Sequence, residues 1–440
     1  MTTARLNGLY LLLLGSIVFL FLGAIAENAN AGSMVDFKVL YYPARCLVQY
    51  CDPYKESDVL RISRAEEGES TFDAANIRHI ARYIYLPTAF LFTVPFAILP
   101  WGPAHILWMT FTVGGLILAS LLMWDMGAIF APELSGALIG LLLANSEILM
   151  IFCNAAGIAI SLCVVAVWCF LRERLIAAGI LCLAISLALK PQDASLVWLY
   201  FLLAGGIYRK RALQALVTML CLSLPGILWV WHVAPHWMEE WRTNVLAFSA
   251  PNSVSDPALA SVGNHAFGMM INLQTVISFF WNNPRIYNPF SYLIFAVPFA
   301  VWAALTLRFR FSLKGGLLAL AAIAALAMLP AYHRTHDAKL LLTTIPACAM
   351  LWAEGGLTGR LALWVTVAGL VVTADLPWII LLVLFDKLGF STTAMGGRLL
   401  TVIWVFPTPM ILLVVGVFYL LVYLRHCLSE VQSPQVPIGG

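Results

Sequence analysis

Charge is what this sequence has least of. Only 11% of its 440 residues are Asp, Glu, Lys or Arg, about half the share of a soluble domain. A net charge of +3 with no long Lys/Arg run argues against a nucleic-acid partner. Metal and nucleotide patterns are missing too. There is no Asp-x-Asp, no Cys-x-x-Cys and no Gly-rich phosphate loop ending in Lys-Ser/Thr, so neither a metal nor a cofactor is expected. No soluble domain, internal repeat or low-complexity tract interrupts the chain. The nine Cys make no disulfide framework. Cys153, Cys163, Cys169, Cys182, Cys221 and Cys348 lie in apolar blocks, where Cys acts as a small hydrophobe. Cys46 and Cys51 would pair only in an oxidising compartment, and their separation suits neither one helix face nor a tight hairpin.

What the sequence has is apolar length. Hydrophobic residues make up 62% of the chain and mean hydropathy is +0.89. They fall in blocks of spanning length at residues 6–26, 83–99, 104–124, 148–171, 175–189, 194–207, 212–232, 288–307, 315–329, 338–353, 361–384 and 399–424. The expected fold class is all-α: a polytopic membrane protein of about 12 transmembrane helices. Residues 6–26 imitate a secretory signal but are long enough to span, so they read as a retained first helix. The apolar run Ala131–Ala144, led by Pro132, is short and reads as re-entrant. Residues 1–428 would form one transmembrane domain, with residues 28–82 and 233–287 as two large loops carrying amphipathic helices. Residues 429–440 read as a disordered tail.

Orientation follows from the short connections. With both termini in the cytoplasm, Arg172, Arg174, Arg209, Lys210, Arg211, Arg308, Arg310 and Lys314 fall inside with few acids among them, as the positive-inside rule requires. The same orientation sends both large loops and the turns Lys190–Asp193 and Tyr332–Asp337 to the extracytoplasmic face. Ionisable groups converging there at the ends of separate helices are where a site would be built. In the first loop Phe37, Leu40, Tyr41, Ala44, Leu47 and Val48 recur at helical spacing, predicting an amphipathic surface helix. Asp36 precedes that apolar face, either as its N-cap or as a functional carboxylate. Asp375 lies inside an apolar block and needs a partner that the sequence does not name.

Asp36-Phe37, Tyr41-Tyr42, Ala44-Arg45 and Asp52-Pro53-Tyr54 together resemble the opening signature of glycosyltransferase family 87, integral-membrane enzymes of the GT-C type. Leu189-Lys190-Pro191-Gln192 with the basic turn Tyr208–Arg211 is similar to a second motif, and Arg334 with Asp337 before a Leu-rich segment to a third. Where the family often has Gly before its Asp-Pro-Tyr this chain has Tyr50, and where it often has Gly-Gln it has Ser146-Glu147.

The resemblance implies a GT-C-like fold in a cell (inner) membrane and transfer of a sugar, a hexose such as mannose, with inversion. The donor would be a polyprenyl-phosphate sugar and the acceptor an extracytoplasmic lipid or glycan, with membrane lipids as the other partners. It implies that Asp36 is the catalytic base, since an attacking hydroxyl must lose its proton. Lys190, Gln192, His333, Arg334, His336 and Asp337 would meet the substrates, cations answering the lipid phosphate, with Glu147 and Tyr54 as further contacts. Two alternatives stand: a lipid or solute transporter, and a lipid-linked glycan polymerase or ligase.

Overall fold

The computed structural model describes residues 2–29, 34–67, 80–251, 253, 255–258, 270–309, 311–375, 399–400, 402–404 and 406–432. Among these the chain is α-helical, and one isolated bridge, Met270 to Arg334, is its sole β pairing. Five helices are long and apolar enough to cross a membrane: α1 (Thr3–Ala29), α5 (Trp101–Gly127), α11 (Gly206–Val233), α14 (Pro284–Arg308) and α18 (Pro407–Gln432). The protein is therefore a membrane protein, its long helices turning Leu, Ile, Phe and Trp side chains outward as a lipid solvent allows.

Between these lie shorter elements, α2 (Val35–Val48), α3 (Glu56–Glu67), α4 (Phe90–Ala97), α6 (Pro132–Leu143), α7 (Ile148–Phe152), α8 (Ala155–Leu171), α9 (Ile176–Leu189) and α10 (Pro191–Leu203). Further on come α12 (Trp237–Phe248), α13 (Leu273–Ser278), α15 (Leu313–Leu326), a 3-10 helix (Thr335–Thr343), α16 (Thr344–Glu354) and α17 (Gly356–Val372). The Ala- and Leu-rich α15 is buried from Gly315 to Leu326 and forms the centre with the 3-10 helix and α16.

Two expected segments pack in a particular way. The stretch 83–99 begins with Tyr83 against Tyr54, ring centroids 5.2 Å apart. It ends where the Tyr41 hydroxyl donates to the Leu99 carbonyl at 2.9 Å and Arg45 to the Ala97 carbonyl at 2.7 Å. Both ends therefore lie against the α2–α3 unit. Gly8, Gly15 and Gly23 of α1 meet Pro132, Gly140 and Met150 in that order, so α6 and α7 together run parallel to α1 along its length. A Cβ at Gly8, Gly15 or Gly136 would land on the facing backbone; this small-residue seam lets the two helices touch.

Other boundaries move as well. The expected span 148–171 breaks at Cys153 and Asn154, where Cys153 has φ 49°. Both loops carry their amphipathic helices, α2 and α12. Helix α18 continues through Gln432, into the expected disordered tail; residues 433–440 and 376–384 of the expected span 361–384 lie outside the described residues.

Cys46 and Cys51 form a disulfide, against the reading of their spacing. Helix α2 ends at Val48, Tyr50 turns left-handed (φ 58°), and the Cys51 N–H reaches back to the Cys46 carbonyl at 3.0 Å. That reversal brings together two thiols that neither a helix face nor a hairpin would join.

Candidate active site

One end of the bundle holds a cavity of about 260 Å³. Asp36, Asn154, Lys190, Gln192, Arg334 and His336 supply its polar lining, and Tyr85, Trp241, Phe248 and Tyr332 its aromatic walls. The polar groups come from four breaks in the helices. Asp36 stands in the first turn of α2, whose N-cap is Met34, so it does not cap that helix. Asn154 caps α8 by accepting from the Ala156 N–H at 2.9 Å. Lys190 occupies the one-residue joint between α9 and α10, extended because Pro191 follows. Arg334 and His336 come from the turn into the 3-10 helix.

Behind the cavity lies a buried ionic network. The Lys190 ammonium donates to Asp337 Oδ1, lies 3.4 Å from Asp193 Oδ2, and reaches Asn154 Oδ1 at 3.4 Å. His333 Nδ1 is 3.2 Å from Asp337 Oδ2 and 3.4 Å from Asp193 Oδ1. Asp337 Oδ2 also accepts from the Arg334 backbone N–H at 2.8 Å, closing the turn. Burial alone would lower the His333 pKa, but hydrogen bonds to Asp193 and Asp337 hold it up at about 9, so the ring is cationic at neutral pH. Burial also opposes charge on Lys190, yet the two carboxylates keep its pKa above the ordinary value. Burial would raise Asp337, but Lys190, His336 and His333 hold it well below the usual range. Asp193 goes the other way, raised by burial and by Asp337; of two acids sharing the same cations, it is the first to take a proton. His336 is lowered by burial to about 4, a neutral imidazole at the cavity wall.

Asp193, His333 and Asp337 also have metal-ligand spacing, their ligand atoms within 4.8 Å of one another. Lys190 already sits between the two carboxylates. The donor set therefore reads as an ion-pair network. His232 and His236 stand four apart, but α11 ends at Val233 between them.

The expected residues thus divide. Asp36, Lys190, Gln192, Arg334 and His336 share the cavity. His333 and Asp337 stand behind it, holding Lys190. Tyr54 is also outside the lining; its hydroxyl donates to the Tyr85 carbonyl at 3.0 Å, and its N–H closes a turn on Asp52 Oδ1 at 2.9 Å. Glu147 is elsewhere, beside Asp375 and Lys339, and among the described residues neither of its oxygens has a hydrogen-bond partner. Asp375 finds its partner there: Oδ2 accepts from the Ile148 N–H at 2.8 Å, satisfying a donor at the start of α7. Sequence reasoning missed Asn154, although a lone Asn inside an apolar run was a usable signal.

Asp36 and Arg334 both line this cavity, and the Arg334 guanidinium lies 5.5 Å over the Tyr332 ring. The family model for glycosyltransferase family 87 matches residues 83–282. The match contains the Lys190-Pro191-Gln192 motif and the basic turn after it, but neither Asp36 nor Arg334. No curated protein and no solved structure matches the chain.

Proposed function

We propose that this chain is a membrane glycosyltransferase of family 87, the family whose model matches residues 83–282. The donor is a polyprenyl-phosphate sugar, a hexose such as mannose, and the acceptor is a lipid or glycan hydroxyl outside the cytoplasm. Asp36 takes the acceptor's proton as its oxygen attacks the anomeric carbon from the face opposite the phosphate. The new C–O bond forms, the bond from C1 to the phosphate oxygen breaks, and polyprenyl phosphate leaves with the electron pair, giving inversion. Arg334 holds that phosphate, Gln192 and His336 add polar contacts, and Lys190 contributes from within its network. The aromatic walls offer faces on which a sugar ring stacks.

The observation that carries this reading is the cavity lined by both Asp36 and Arg334. Its side of the membrane fits as well. The cavity shares its end of the bundle with the Cys46–Cys51 disulfide, which belongs to an oxidising compartment, while the basic turns of Arg172 and Arg209–Arg211 lie at the other end. Nucleotide sugars are not available outside the cytoplasm, whereas lipid-carried sugars are. About twelve crossings with both termini inside complete the proposal. Purified membranes incubated with a panel of polyprenyl-phosphate sugars, followed by mass spectrometry, test it. Consumption of one polyprenyl-monophosphate sugar is expected; use of only a pyrophosphate-linked or nucleotide donor overturns it.

A further inference from the structure

Asn154 is the side chain on which Asp36 rests. Its amide orientation is fixed by the backbone. The Ala156 N–H can only donate, so the atom facing it at 2.9 Å is Oδ1, and Lys190 donates to the same oxygen at 3.4 Å. The amide nitrogen is therefore turned to Asp36 and donates to its Oδ2 at 2.8 Å. Lys190 is itself held by Asp337 and Asp193. The result is an unbroken series of donors and acceptors from a buried carboxylate to the one in the cavity, anchored at the N-terminus of α8. Asn154 is 9% exposed, so water does not readily replace it.

We infer that Asn154 is a positioning residue: by pinning Oδ2 through an amide locked by the α8 N-terminus and Lys190, it fixes the reach of the Asp36 carboxylate into the cavity. This rests on the reading of Asp36 as the base. A half-buried carboxylate on the first turn of a helix has two free torsions, and a base must sit within hydrogen-bond reach of the proton it takes. Tyr85, Cys153, Tyr332, Arg334 and His336 also face Asp36. Within the Asn154–Lys190 series, Asn154 is the member that bonds the carboxylate directly, through a short amide side chain with little freedom.

Two variants separate positioning from helix capping, because Ser and Asp cap about as well as Asn. Asn154→Ser keeps the cap and loses the reach to Asp36. Asn154→Asp keeps the cap and sets a second carboxylate against Asp36. Turnover is followed against pH in membranes, using the polyprenyl-phosphate sugar that the wild-type chain consumes in the panel above. Asn154→Ser is expected to lose about tenfold in kcat with KM little changed, as for a group that matters only in the transition state. In Asn154→Asp the acidic limb of the pH profile should move up by about one unit, since a neighbouring like charge favours the protonated acid. Wild-type kcat and an unmoved limb in both variants, at wild-type thermal stability, overturn the inference, as does a rise in KM alone. Asp36→Asn serves as the control. If it stays active, the base reading has failed; if it is dead while the Asn154 variants are normal, only the positioning role has failed. Should either variant lose stability, the pH limb of the folded fraction still decides, because a capping defect does not move it.

Discussion

Two clusters in this protein pair acids with a lysine, and they differ in what they face. Around Lys190 the ammonium, two carboxylates and an imidazolium are drawn together, and the network ends at a cavity through Asn154 and Asp36. Around Lys339 the ammonium goes to the Asn145 carbonyl at 3.0 Å, Asp375 closes the start of α7, and among the described residues neither Glu147 oxygen has a hydrogen-bond partner. Glu147, Lys339 and Asp375 do not line the cavity at Asp36. Burial and charge alone therefore do not mark a site. What separates the clusters is an open space that a fixed carboxylate and a cation both reach.

The sharpest break between them is catalytic. Asp36→Asn should cost on the order of 10²–10⁴ in rate with stability near wild type, since Met34 rather than Asp36 is the N-cap of α2. Glu147→Gln should leave turnover nearly intact. Equal losses in the two variants, measured as sugar transfer in membranes, would erase the distinction.

The next largest effect separates the two cations at the cavity. Arg334→Ala should weaken donor use by roughly ten- to a hundredfold, a charge-assisted contact being worth about 1.5–3 kcal/mol, and leave the protein folded. Lys190→Ala should instead destabilise the protein, because removing one partner of a buried ion pair costs about 3–5 kcal/mol. Donor kinetics and thermal melting read together distinguish a binder from an anchor; an unshifted melting temperature in Lys190→Ala would return Lys190 to the phosphate.

Proton linkage probes the network itself. His333 has a raised pKa in the folded protein, so its contribution to stability is fully present below the ordinary value near 6.5 and is lost as pH rises through about 9. Melting temperature should therefore fall across that window, and His333→Gln should flatten the fall. A profile identical in wild type and variant would show that the imidazolium is not part of the network.

The smallest effect concerns Tyr50. It is exposed and holds a left-handed φ of 58° where family members often have Gly. Tyr50→Gly should stabilise the loop by about 1 kcal/mol, read as a slightly higher melting temperature with the disulfide intact. A lower one would mean that the ring makes contacts worth more than the strain.

Much of this was legible because lipid enforces a simple code: apolar blocks became helices, and the polar turns at Asp36, Lys190 and Arg334 met at one end. The failures share a cause. Hydropathy reports whether a segment is apolar, not which way it runs. It could not tell 83–99, pinned at both ends to α2 and α3, from 132–152, which fills a glycine seam on α1. It averaged Asn154 into an apolar span for the same reason. The disulfide was hidden because it depends on one residue's left-handed turn, which periodicity does not encode. Asp337 stood in a motif and His333 in the polar turn beside it, but their place behind the cavity is a matter of tertiary geometry.

The Lys190 joint has a consequence for how the chain is made. Helices α9 and α10 form a hairpin whose tip carries Lys190 and Asp193, 3.4 Å apart and three residues from each other. In the orientation proposed above, that tip crosses the hydrocarbon layer during insertion before Asp337, 147 residues after Lys190, has been made. Each charge alone is costly at that depth. Because the lysine and the aspartate share one turn, the tip can cross as a neutral unit, ready to receive its third partner when the later helices arrive.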